Sequence, residues 1–143
     1  MKKTNVLAVL IAGTGVIGMG MTPTAVAVPG LASFIGKWEG HGRNLVIRQT
    51  GSGHLSYANL EACPSCSEAE APEGTVDFTL TSVSNDVATG RVDASSDEQN
   101  AAVGSVVTAQ LAAGSPSGQV LQVSMGRMSR FFCNETSVGQ CGA

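Results

Sequence analysis

From residue 36 onwards, apolar side chains recur at every second position, and nearly every interruption is a cluster of Gly, Ser, Pro, Asn or Asp. Leu45 and Ile47 alternate with Asn44, Val46 and Arg48, and Leu55 and Tyr57 alternate with His54 and Ser56. Val76, Phe78 and Leu80 alternate with Asp77, Thr79 and Thr81, and Leu121, Val123 and Met125 share one parity further on. Successive side chains of a strand point to opposite faces, so each run offers one face to a core and the other to water. Thr50 to Gly53, Asn85-Asp86, Gly114 to Gly118 and Gly126-Arg127 carry turn chemistry between the runs. No segment after residue 28 sustains a helical period. The pattern predicts an all-β chain: about eight short strands in the order of a small antiparallel up-and-down β-barrel.

The first of these runs contains a break in parity. Trp38 is at an even position, whereas Leu45 and Ile47 are at odd ones. A straight strand would send them to opposite faces. Gly40-His41-Gly42 lies between them, and glycine serves bulges and sharp bends. Residues 36–49 therefore read as two short strands joined at a corner, with Trp38, Leu45 and Ile47 all facing inwards. Six aromatic side chains (four Phe, one Tyr, one Trp) can fill a narrow barrel but not a wide one.

The N-terminus reads as an address. Lys2 and Lys3 precede an apolar, glycine-rich stretch from Val6 to Gly20, and Ala25-Val26-Ala27 has the small-x-small form of a cleavage site. Residues 1–27 are expected to be a secretory signal peptide, and 28–143 a single β-barrel domain of a secreted, extracellular protein. Losing Lys2 and Lys3 leaves six basic residues against 11 acidic ones, a net charge of about −5. Such a domain lacks the basic footprint that nucleic acid or anionic lipid requires. Its apolar leader is too short for a good membrane span, so no span is expected in the mature chain. Five acids (Glu61, Glu68, Glu70, Glu73, Asp77) cluster in a segment free of Lys and Arg.

Four cysteines, Cys63, Cys66, Cys133 and Cys141, imply two disulfides in an oxidising compartment. Three connectivities exist; the spacings favour the two local loops, and a bridge between the pairs stays open. Cys63-Pro64-Ser65-Cys66 has redox spacing, but Glu61 and Glu68 flank it and would raise a thiol pKa, against thiolate chemistry. The histidines are His41 and His54. His41, with Glu39 and Arg43 on the same parity, forms a possible polar site, since a His beside a carboxylate is the start of an acid/base pair. Asp93 and Asp97-Glu98 flank a polar loop that could hold a metal or a sugar. No nucleophile motif completes a triad. No catalytic residue, metal or cofactor is therefore assigned.

Gly36-Lys37-Trp38 resembles the Gly-x-Trp signature of the calycins (lipocalins, fatty-acid-binding proteins and avidins), and the hairpin Gly51 to Tyr57 is avidin-like in rhythm. The resemblance implies a barrel in which Trp38 plugs one end and an Arg of the last strand, Arg130, packs over it as a lock. The aromatics that line an avidin's biotin pocket have no counterpart here. The run Gly36-x-Trp38-x-Gly40-His41-x-Arg43-x-Leu45-x-Ile47, the mid-chain Cys pair and the ending Phe132-Cys133…Cys141-Gly142-Ala143 resemble small secreted proteins of actinobacteria. That resemblance implies compartment and origin and brings no chemistry with it. The leading expectation is a non-enzymatic protein that binds a small apolar or amphipathic ligand at the barrel mouth. The alternatives are a ligand-free module presenting the acidic loop 61–77 to an extracellular protein, and an enzyme centred on His41.

Overall fold

The computed structural model describes residues 26–112, 120–135 and 141. The reading of residues 1–27 as a signal peptide and the turn at Gly114 to Gly118 lie largely or wholly outside these. A 3₁₀ turn, Leu31–Phe34, leads into β1 (Gly36–Gly40), β2 (Arg43–Ile47), β3 (Ser52–Ala58), β4 (Glu73–Ser84), β5 (Val87–Ser95), β6 (Val106–Leu111), β7 (Val120–Met125) and β8 (Met128–Cys133). Each strand pairs antiparallel with the next, and β1 meets β8 to close the barrel. The eight-stranded closed architecture is the one the alternation predicts.

The parity break in the first run has a different cause from the expected corner. β1 and β2 form a hairpin with only His41 and Gly42 between them, and Trp38 pairs directly with Leu45. Across a two-residue turn, partner numbers always differ in parity, and partners share a face of the sheet. Trp38, Leu45 and Ile47 are therefore all interior. Gly42, with φ of 64°, supplies the left-handed residue that the turn needs. A second hairpin, β4–β5, turns on Asn85 and Asp86, both at positive φ (50° and 61°), as a primed turn requires. β6 starts at Val106, and Glu73 and Asp77 of the acidic segment belong to β4.

The interior is filled. Phe34, Phe78 and Phe132 are at most 1% exposed, Trp38 is 4% exposed, and Leu45, Ile47, Leu55, Val76, Leu80, Val107 and Leu121 complete the core between them. The 3₁₀ turn closes one end, where the Trp38 indole N–H donates to the Phe34 carbonyl at 2.9 Å. That bond satisfies the one polar group of a side chain otherwise suited to a core. Two disulfides, Cys63–Cys66 and Cys133–Cys141, are both local. No helix among the described residues is long and apolar enough to cross a membrane.

Gly90 of β5 lies opposite Leu80 of β4, beside a register shift between Leu80 and Ser82. A Cβ at Gly90 would collide with the backbone of Thr79 and Leu80. Backbone cannot swing aside as a flexible side chain can. Gly90→Ala is therefore expected to cost about 2–3 kcal/mol, at the upper end of overpacking effects. The urea midpoint at constant m-value measures it; an unchanged midpoint would refute the close approach.

Candidate functional site at the barrel mouth

In an up-and-down barrel, alternate connections emerge at the same end. The β1–β2 turn, the long β3–β4 loop, the β5–β6 connection and the β7–β8 turn thus all lie opposite the 3₁₀ plug. They enclose a cavity of about 420 Å³, within the range of small-molecule sites. Leu55 of β3 and Met128 of β8 form its apolar floor, 1% and 6% exposed. Leu60 stands at the rim, 41% exposed. The remaining walls are polar and charged.

One wall is a hydrogen-bonded network. The Tyr57 ring lies over Gly74, its cross-strand partner, where a Cβ would leave no room. So placed, its hydroxyl donates to Asp97 Oδ2 at 2.8 Å. Asn100 Nδ2 donates to the same oxygen at 3.0 Å and to Glu61 Oε2 at 2.6 Å. The Arg127 backbone N–H donates to the Asn100 carbonyl at 2.8 Å and ties in the β7–β8 turn. Burial, reinforced by the bond to Asp97, pushes the Tyr57 phenol well above its ordinary pKa. Burial works against the Asp97 charge too, but donation from Asn100 and Tyr57 outweighs it and holds that carboxyl below the usual range. Across the mouth, His41 Nε2 and Glu68 Oε1 are 2.8 Å apart, fastening the β1–β2 turn to the β3–β4 loop. Both side chains are largely solvated, 64% and 42% exposed. An exposed pair like this contributes little stability.

Three arginines complete the lining: Arg43 of β2, Arg127 of the β7–β8 turn and Arg130 of β8. They are half of the basic residues beyond position 28. Arg43 sits with its guanidinium carbon 5.8 Å from the centroid of Phe132, and its Nε is buried without a hydrogen-bond partner. Burial and the neighbouring Arg130 charge lower the Arg43 pKa, with Glu68 partly opposing them. Gly40 leaves this side chain its space, since a Cβ there would stand 2.7 Å from Arg43 Nε.

The structure redistributes the residues picked out from sequence. Arg130 is exposed at the mouth and donates to the Ser129 carbonyl at 3.0 Å, whereas Trp38 is buried beneath the 3₁₀ turn. The cation found over a ring is Arg43 on Phe132, where the calycin resemblance implied Arg130 on Trp38. Of the group Glu39, His41 and Arg43, the last two line the cavity, while Glu39 is exposed on β1 opposite Asn44. The partner of His41 is Glu68, contributed by the acidic segment. His54 meets Asp77 of that segment in the same way, at 2.6 Å across β3 and β4. The alternation placed Tyr57 on an inward face; its role as the hub of a network, with Asn100, was not legible. No group of three or more His, Cys, Asp or Glu among the described residues is arranged to hold a metal.

The chain matches no protein-family model, and no curated protein or solved structure is significantly similar to it.

Tyr57 is the single tyrosine of the chain, so tyrosinate absorbance reports this site alone. Its midpoint is expected well above about 10, the ordinary value, and should return there in urea. Asp97→Asn should lower it only in part, because burial is the larger cause. A folded-state pKa above the unfolded one gives stability that is complete below about pH 10 and is lost as the pH rises through the folded value. A native midpoint near 10 would refute the network.

Proposed function

We propose that this protein is a secreted, non-enzymatic binder of a small amphipathic molecule at the barrel mouth. One observation carries the reading: the barrel interior is filled, and the large cavity at the mouth joins an apolar floor to a polar, charged wall. A molecule with one apolar and one polar end matches that division, and a purely apolar one does not. Two local disulfides support an oxidising compartment and hence secretion. The likeness of Gly36-Lys37-Trp38 to the calycin signature adds a fold-level parallel and nothing about the ligand.

The other readings draw less support. A module displaying the acidic segment needs its carboxylates free for a partner. Instead Glu61 accepts from Asn100, Glu68 meets His41, Glu70 accepts from Ser67 and Asp77 meets His54. An enzyme centred on His41 needs an imidazole aimed at a reacting group, and the Nε2 of His41 is already engaged by Glu68 in solvent.

Methyl NMR tests the proposal. Titration with the amphipathic dye 8-anilinonaphthalene sulfonate is expected to shift the Leu55, Leu60 and Met128 methyl signals. Those of Val107 and Leu121, deep in the filled interior, should stay in place. Shifts scattered over the outer barrel wall, or none at millimolar dye, would sink the reading.

A further inference from the structure

The charged groups of the cavity are balanced in number but not in what they have left to offer. Each of its carboxylates is engaged. Asp97 accepts from Tyr57 and Asn100, Glu61 accepts from Asn100, and Glu68 faces His41. The arginines are the reverse. A guanidinium carries five N–H donors and no acceptor. Among the described residues, Arg43, Arg127 and Arg130 form no ion pair, and the one side-chain bond they donate is that of Arg130 to a neighbouring carbonyl. The buried Nε of Arg43 has no partner at all.

This arrangement costs stability. A buried donor left unsatisfied is unfavourable, and Arg43 also bears the repulsion of Arg130. Native structures hold few such groups, and those they hold call for an explanation. Three donor-rich cations that line one cavity in a chain of net charge −3, none of them ion-paired with the carboxylates beside them, are what an incoming oxyanion needs. The apolar floor at Leu55 and Met128 then receives whatever is attached to it.

We infer that the cavity selects an anionic amphiphile: a carboxylate or phosphate held by Arg43, Arg127 and Arg130, with its apolar stem against Leu55 and Met128. The inference rests on the mouth-binding reading above and adds the charge of the ligand to it. A free oxyanion and the headgroup of a short lipid share this chemistry, and the stem tells them apart.

Calorimetry on the disulfide-intact secreted protein tests it with octanoate, octyl phosphate, octanol, octylammonium and inorganic phosphate. Octanoate and octyl phosphate are expected to bind at least about tenfold more tightly than octanol, as one or more charge-assisted hydrogen bonds supply. Their affinity should fall with added salt. Arg127→Gln and Arg130→Gln, at exposed positions, should each weaken octanoate about tenfold and leave octanol unchanged. Arg43→Met should do the same without lowering the urea midpoint, because it removes the orphan donor and the charge that Arg130 repels. Inorganic phosphate binding as well as octyl phosphate would support the oxyanion site and overturn the place given to the stem. Equal affinity for octanol and octanoate would overturn the inference while leaving a binding cavity in place. Tighter binding of octylammonium would overturn it in favour of the carboxylates. Silence from all five probes would remove both the inference and the reading beneath it.

Discussion

Closing the sheet on itself is the constraint from which the rest of the structure follows. β1 and β8 meet through a single registered pair, Glu39 with Cys133, while neighbouring hairpins share five to eight. An open pair of edges would expose unsatisfied backbone groups and invite association with another chain. The seam is short, so other features have to hold it. Cys133 is fully buried and bonded to Cys141, and Phe132 beside it reaches the core at no exposure. On the other side of the seam, Trp38 is fixed by its bond to Phe34 and by its place opposite Leu45. Anchors on both strands thus do what a longer ladder would otherwise do.

The core side chains of the described residues form one packed cluster inside the barrel. The aromatic and aliphatic side chains reach packing contact across the axis, and glycine lets the strands press closer, as at Gly90 against Thr79. The 3₁₀ turn occupies one end, and the connections at the other end form the cavity. Those connections are unequal in length: two tight turns (β1–β2 and β7–β8) face two long segments. The long segments are fastened down by Tyr57–Asp97, Asn100–Glu61 and His41–Glu68, and the Cys63–Cys66 bridge stiffens one of them. The mouth is therefore a built concavity, with walls held by short polar contacts.

The fold was legible in the sequence because alternation and turn chemistry are local signals. Val76, Phe78 and Leu80 face inwards as their spacing says, and Asn85-Asp86 turns the chain as its composition says. The corner at Gly40-His41-Gly42 was misjudged for a physical reason: a bend within one strand and a two-residue hairpin produce the same parity break. The site was legible only in fragments. His41, Arg43 and Asp97 stand out as chemistry-bearing residues, but Arg43 is 84 positions from Arg127 and 54 from Asp97. Barrel closure, a property of the whole register, brings them together. The acidic segment was legible as a charge cluster, but its partners were not: His41, His54 and Asn100, which meet Glu68, Asp77 and Glu61, come from three other parts of the chain.

Arg43 shows how fold and site are traded against each other in a small barrel. Its position on β2, two residues before Leu45, places its guanidinium over Phe132 at the upper limit of the core. An aliphatic side chain there would pack as well without an orphan nitrogen or a repelling neighbour. Proteins sit just above the stability they need, and destabilising groups persist where they serve a function. Gly40 points the same way, since a larger residue would fill the strand better but would close the space that Arg43 occupies. Gly40 and Arg43, cross-strand partners in the β1–β2 hairpin, thus sacrifice packing to hold one guanidinium at the mouth. Packing alone gives no reason for that pairing; the anionic ligand proposed above would.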